Sequence, residues 1–102
     1  MSEFKGTPGP WFVQDDHGKR WIETDGSDDT ICEVHRRKKE GSVYRCQEAG
    51  ANAQLIAASP DLLSVVMRLT ALEGEWHPDR YQNEKILLLK DARAALAKAL
   101  GQ

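Results

Sequence analysis

The chain has 102 residues, 40% of them hydrophobic and 29% charged, with a formal net charge of −2. This length suits one domain with one modest core and excludes two domains. The composition is typical of a globular protein, and the near balance of charge excludes a global attraction to nucleic acid or to an anionic membrane. We therefore predict a single domain over 1–102, with an arm at 1–10, a strand region at 11–45 and a helical region at 47–100.

The strand region contains three short runs of aromatic and β-branched residues separated by turn residues. The runs lie at 11–14, 20–24 and 30–36, and the intervals between them are rich in Asp and Gly. Such a pattern predicts an antiparallel meander. A fourth edge strand is possible at Ser42, Val43 and Tyr44, and Trp11 and Trp21 are expected in the core of the meander.

Apolar residues repeat at helical spacing from Gln47 onwards, which predicts three helices near 47–58, 60–73 and 79–100. Ser59 before Pro60 is read as the N-cap of the second helix, and Gly101 ends the third. The expected buried stripes are Leu62, Val65 or Val66, Leu69 and Leu72 on the second helix, and Tyr81, Ile86, Leu89, Ala92 or Arg93, Leu96 and Leu100 on the third. The sequence predicts an α+β fold whose last two helices form a hairpin.

Four successive aliphatic residues, Ile86, Leu87, Leu88 and Leu89, surround the third helix, because each residue advances by about 100°. A single core-facing side cannot bury all four. An apolar patch of several hundred Å² is seldom left open on a soluble monomer. We predict self-association through these residues as a homodimer; the alternative is that the first helix folds across the patch.

Metal ligation is a first candidate for chemistry, since Cys32, His35, Cys46 and His17 are ligand types that zinc uses. Cys32 and His35 are three apart in a predicted strand, so their side chains point to opposite faces. A half-buried cysteine and a surface histidine explain the pair better. We predict no metal and no cofactor, and both cysteines are expected to be reduced thiols.

Catalytic patterns are also weak. Neither cysteine lies in a catalytic-cysteine motif, Ser59 is explained as a helix cap, and the glycines are isolated turn residues rather than a phosphate loop. We predict that the chain is not an enzyme.

The basic run Arg36, Arg37, Lys38 and Lys39 is the sharpest local signal. Four adjacent positive charges at a hairpin tip could contact phosphates. No aromatic residue is interleaved for base stacking, so a solvated loop is favoured over a nucleic-acid site. An acidic protein partner is a third interpretation.

Trp76 falls in the loop between the second and third helices, between Glu75 and His77. It either covers the end of the helical hairpin or stands exposed as an anchor for a partner, because aromatic residues concentrate binding energy. Both interpretations remain open from the sequence.

Three segments together carry a resemblance: TPGPW at 7–11, ANAQLIAASPDLL at 51–63 and ARAALAKA at 92–99. The chain resembles a group of small phage- and prophage-encoded proteins of unknown function that share a TPGPW-like arm and an ANARLIAAAPDLL-like helix pair. Gln54 stands where that group usually has Arg, and Ser59 where it usually has Ala. The resemblance implies a phage or prophage origin and a bacterial cytoplasm, and it carries no catalytic residues.

Two classes of function follow as hypotheses. The first is a non-enzymatic accessory protein that binds a host or phage macromolecule, with inhibition of a host defence system as a specific form. The second is a nucleic-acid-associated accessory protein that acts through residues 36–39. No membrane association is expected, because the longest aliphatic run covers only 86–89 and no signal-peptide pattern is present.

Overall fold

The computed structural model describes residues 4–16, 19–24, 30–35 and 43–102, without the side chains of 43–46. Three strands come first: β1 (Trp11–Asp16), β2 (Lys19–Thr24) and β3 (Thr30–Val34). Three helices follow: α1 (Val43–Ala57), α2 (Ser59–Leu72) and α3 (Pro78–Ala99). The predicted α+β fold, a meander followed by three helices, is confirmed.

The sheet has the order β1-β2-β3 with antiparallel neighbours. Val13 pairs with Ile22, and Ile22 pairs with Cys32, so these three side chains share one face. A register shift between Ile22 and Glu23 interrupts the β2–β3 pairing. The shared face packs against α1.

The core of this half is built around Ile22, which is fully buried with Ala53 and Ala57 of α1. Alanine side chains let the helix backbone approach the sheet closely, so that one isoleucine fills the space between them. Partly buried neighbours complete the cluster: Trp11, Val13, Ile31, Cys32, Val34 and Ile56.

The two sheet tryptophans separate. Trp11 joins the cluster around Ile22 and is half-buried. Trp21 precedes Ile22 on the strand and therefore points to the opposite face of the sheet. It is half-buried there, and its indole Nε1 donates a hydrogen bond to Glu23 Oε1. The prediction that Trp21 belongs to the core is wrong.

The predicted fourth strand is also wrong, because α1 already includes Val43 and Tyr44; Ser42 lies outside the described residues. The alanine repeat at 49, 53 and 57 gives α1 its sheet-facing side, and the helix extends one turn further towards the N-terminus than predicted. A β-branched or aromatic residue in a helix costs only about 0.5 kcal/mol relative to alanine. This cost is small enough for Val43 and Tyr44 to extend α1.

A break at Ala58 separates α1 from α2. The predicted end of the first helix before Pro60 is confirmed, but Ser59 is the first residue of α2 and not its cap. Ala58 takes the cap position, and Ser59 Oγ donates instead to the Leu55 carbonyl oxygen at 3.2 Å. Pro60 supplies no backbone donor to the previous turn, which accounts for the break.

Within the described part of the chain, no single helix has the length and hydropathy needed to cross a bilayer. The segments Gln47–Ala57 and Ser59–Leu72, which meet at a 45° bend, reach those values only when they are counted together.

α2 and α3 form the predicted antiparallel hairpin. Two ion pairs join them: Arg68 Nη1 to Asp91 Oδ2 at 2.6 Å, and Lys98 Nζ to Asp61 Oδ2 at 2.9 Å. Gly101 ends α3 with a φ of 73°, the left-handed conformation that favours glycine, as the sequence predicts.

The predicted buried stripe of α3 is largely wrong. The helix buries Leu88, Ala95 and Ala99. Tyr81 and Ala92 of the predicted stripe are half-buried, whereas its large aliphatic members are exposed: Ile86, Leu89, Leu96 and Leu100. On α2, Leu72 is buried but Val66 and Leu69 are exposed. The small residues Ala95 and Ala99 pack inside because they permit closer helix contact than leucine does.

Candidate protein-binding surface

Two grooves run along one side of the line where α2 meets α3. A groove of about 420 Å³ is lined by Arg68, Ala71, Leu72, Glu75, Arg80, Glu84 and Leu88. A second groove of about 290 Å³ is lined by Asp61, Ser64, Val65, Arg68, Asp91, Ala94, Ala95 and Lys98. Both ion pairs between the helices lie in this second lining. We call this the polar side of the hairpin.

The opposite side of the hairpin carries large aliphatic residues, and we call it the apolar side. Its members are Leu62, Val66 and Leu69 on α2, and Ile86, Leu89 and Leu96 on α3. Each of the six is two positions away from a groove-lining residue, which places it about 200° around its helix. Leu62 is half-buried and the other five are exposed, from 45% at Leu89 to 64% at Ile86.

The four successive aliphatic residues of α3 therefore divide between three environments. Leu88 is buried at the contact between the helices. Ile86 and Leu89 belong to the apolar side. Leu87 lies seven residues from the groove-lining Arg80 and Ala94, so it projects on the polar side, where it is exposed.

Trp76 projects from the turn between α2 and α3 and is 87% exposed. The turn beneath it is held by backbone hydrogen bonds from Gly74 to the Ala71 carbonyl at 3.2 Å and from Glu75 to the Leu72 carbonyl at 3.0 Å. The ring of Trp76 contacts that of His77, with centroids 6.3 Å apart. The structure thus presents an indole to solvent from an ordered turn.

A further contact involves the N-terminal arm, which the sequence did not predict. Phe4, Pro8 and Gly9 line a pocket of about 360 Å³ together with residues of α2: Pro60, Leu63, Ser64, Met67 and Arg68. The arm therefore lies against a side of α2 that adjoins the polar side through Ser64 and Arg68 and does not include the apolar side.

The other candidate residues do not assemble into a site in the described structure. Arg36, Arg37, Lys38 and Lys39 lie outside the described residues, as does His17. Cys32 is a free thiol packed against the core cluster. Among the residues that the structure describes, no three His, Cys, Asp or Glu side chains come close enough together to hold a metal ion.

Sequence reasoning missed the division of the hairpin into two sides, although the signal is present. Leu62, Val66 and Leu69 are spaced by four and three residues, and Leu89 and Leu96 by seven. These intervals are typical of a helical packing seam. These residues were expected in the interior because a single buried stripe was predicted on each helix.

The architecture is that of a small α+β protein in which a meander and one helix form a closed core and a helical hairpin leaves one apolar side open. The whole chain, residues 1–102, matches the model of the family described as Salmonella phage P22 protein Y8K6. The chain belongs to that family, which supports the bacteriophage origin that the resemblance implies. No curated protein and no solved structure is similar enough to count as a match.

Proposed function

We propose that this chain is a non-enzymatic accessory protein of a phage or prophage that acts by binding another protein. The observation that carries the proposal is the exposure of Trp76 at the tip of the hairpin. Tryptophan is among the residues that contribute most binding energy when a partner covers them. A protein that kept this side chain only for its own stability would be expected to bury it.

The ordered turn around Trp76 supports the same role. Backbone hydrogen bonds from Gly74 and Glu75 fix the turn, and the His77 backbone N–H donates to Glu75 Oε1 at 3.0 Å. Pro78, the first residue of α3, restricts the backbone on the other side of the indole. An anchor held in one position loses little conformational entropy on binding, so more of its contact energy appears as affinity.

We further propose that the partner is a component of a host defence system. Membership of a phage protein family supports this proposal, because phage products encounter host proteins throughout infection. Inhibition by occlusion requires a binding surface and no chemistry, which agrees with the non-enzymatic role.

The binding proposal is tested by capturing proteins from lysate of infected host cells on the immobilised chain. The wild-type chain and Trp76→Phe should retain one host protein in stoichiometric amount, and Trp76→Ala should lose it. Removing a central aromatic anchor costs about 2 kcal/mol or more, roughly a thirtyfold loss of affinity. Equal capture by the wild-type chain and Trp76→Ala would contradict the assignment of Trp76, and the absence of any stoichiometric partner would contradict protein binding.

The defence proposal needs a separate test. The chain is expressed in host strains that each carry one defence system, and the plating efficiency of a phage restricted by that system is measured. Expression should restore plating in one strain, and Trp76→Ala should fail to restore it. Unchanged restriction across a broad panel would overturn the defence role while leaving protein binding intact.

A further inference from the structure

The apolar side of the hairpin has the spacing of a coiled-coil seam on both of its helices. Intervals of three, four and seven residues separate its members: Leu62, Val66 and Leu69 on α2, and Ile86, Leu89 and Leu96 on α3. Alternating steps of three and four place side chains along one line of a helix that contacts a neighbour. Each helix already has another such line, which faces its hairpin partner and includes Leu72 on α2 and Leu88 on α3.

Two packing lines on every helix are the arrangement found in a four-helix bundle, where each helix contacts two neighbours. The hairpin supplies two of the four helices. In the described part of the chain, no helix packs over the apolar side, and five of its six residues are exposed.

The sheet packs against α1, and it reaches the hairpin on the polar side, where Lys98 Nζ lies 5.6 Å from the centroid of the Phe12 ring. α1 turns Ala49, Ala53 and Ala57 towards the sheet, and Leu55 lies about 200° around the helix from Ala53. Leu55 is exposed and stands seven residues before Leu62, so the seam of α2 extends back across the bend into α1.

We propose that a second copy of this chain covers the apolar side, so that two hairpins form an antiparallel four-helix bundle. α3 is about 33 Å long and two adjacent helices are about 20 Å wide, which gives a flat footprint of roughly 600 Å². This footprint is comparable to the area of about 800 Å² that each partner buries in a stable complex. A second copy brings two helices of matching length and leucine spacing, and one surface serves both subunits.

The charged residues within the seam determine the direction of the second copy. Glu73 continues the spacing of Leu62, Val66 and Leu69, and Arg93 falls between Leu89 and Leu96. The ion pairs Arg68–Asp91 and Asp61–Lys98 fix which levels of the two helices lie side by side.

Counting from these ion pairs places Arg93 of α3 level with Val66 of α2. Glu73 lies seven residues, about 10 Å, further along the hairpin. The two charges of one chain are therefore not neighbours. A second copy turned end to end about the midpoint of the hairpin, near Leu69, places its Arg93 at the level of Glu73 of the first, on the helix diagonally across the bundle. Opposite charges at these positions favour the antiparallel dimer over a parallel one.

Sedimentation equilibrium of the full chain at micromolar concentration tests the dimer. The expected mass is twice the chain mass of 11.4 kDa, and a mass of 11.4 kDa would overturn the proposal. Leu89→Lys should give the monomer, because it places a charge within the seam. Leu87→Lys is the matched control on the same helix, with 52% exposure against 45% for Leu89, and it should remain dimeric. Dissociation by the Leu87 variant alone would refute the assigned side.

A charge exchange tests the direction independently of these leucines. Glu73→Arg and Arg93→Glu should each weaken dimerisation by about tenfold or more, and the double variant should restore it. Both positions are at the surface, so folding is preserved in all three proteins. A double variant that dimerises more weakly than either single variant would rule out the antiparallel pairing. Because Trp76 is unchanged throughout, these outcomes are independent of the proposed host target.

Discussion

The two regions of this molecule are closed to different extents. The sheet and α1 form a core that needs nothing further: Ile22, Ala53 and Ala57 are almost completely inaccessible to solvent. The α2–α3 hairpin buries Leu72, Leu88 and two alanines, yet exposes five large aliphatic residues on its apolar side. The buried core is therefore concentrated in the first region, and the surface that we propose for dimerisation lies in the second. The first region buries its apolar face within the chain, and the second leaves large aliphatic side chains exposed to solvent.

Ile22→Ala should produce the largest effect, because Ile22 is the one large side chain in the described core that is fully buried. Deleting its side-chain carbons removes apolar burial and leaves a cavity between the sheet and Ala53, which costs about 3 kcal/mol. Urea unfolding measured by tryptophan fluorescence gives the value. Leu87→Ala, at an exposed aliphatic residue outside the seam, is the control and should change the unfolding free energy by less than about 0.5 kcal/mol. Similar losses in both variants would show that the sheet region is not the stability core.

The sheet region could be predicted well because its signals are local. Turn residues between the runs at 11–14, 20–24 and 30–36 set the strand order without reference to distant residues. The placement of Trp21 failed because large aromatic size was taken as the mark of the core. A single residue of register decides the face, and Ile22, its neighbour, faces α1.

The two helices of the hairpin could be predicted from the sequence, but the side on which each helix is buried could not. Pro60 and Gly101 mark helix boundaries in any context, so those boundaries were found. The buried side of α3 depends on which partner approaches and how closely. Ala95 and Ala99 are buried by that approach, and their small size gives no signal of it in the sequence. The run at 86–89 pointed to part of the apolar side. That Leu87 lies on the polar side and Ile86 and Leu89 on the apolar side could be seen only from the residues that line the grooves.

The dependence of thermal stability on protein concentration tests whether the apolar side is covered by a second copy. If a second copy covers the apolar side, a tenfold rise in protein concentration adds about 1.4 kcal/mol of apparent stability per mole of dimer. The Tm measured by circular dichroism should therefore rise when the protein concentration is raised about a hundredfold from about 5 µM. Leu89→Lys should abolish this dependence and Leu87→Lys should retain it. A wild-type Tm that is independent of concentration would place the whole stability of the protein within one chain.

The arm connects the two regions, and Gly9 tests how much that connection contributes. A Cβ atom added at Gly9 would lie 2.7 Å from Pro60 Cβ, closer than two carbons approach, so the arm must shift away from α2. Gly9→Ala should destabilise the protein by about 1 kcal/mol, as for a mild overpacking change. Gly74→Ala is the control, since its nearest neighbour would be the Ala71 carbonyl oxygen at an ordinary 3.6 Å. A neutral Gly9 variant would show that the arm makes no net contribution to stability.

The smallest effects are expected on the polar side, where the two ion pairs differ in their surroundings. Arg68 and Asp91 have side chains that are 37% and 53% exposed, so water screens their interaction and Arg68→Ala should cost about 0.5 kcal/mol or less.

Lys98 is 30% exposed, and its Nζ also lies 5.6 Å from the centroid of the Phe12 ring. A cation over an aromatic face contributes about 0.5–1 kcal/mol at such a site. Lys98→Met should therefore cost about 1 kcal/mol, because methionine keeps much of the apolar stem but loses both interactions. Unfolding in urea with and without added salt separates the two pairs, since raised ionic strength should remove most of the Arg68 effect and less of the Lys98 effect. Equal salt sensitivity in the two variants would contradict a separate contribution from the contact of Lys98 with Phe12.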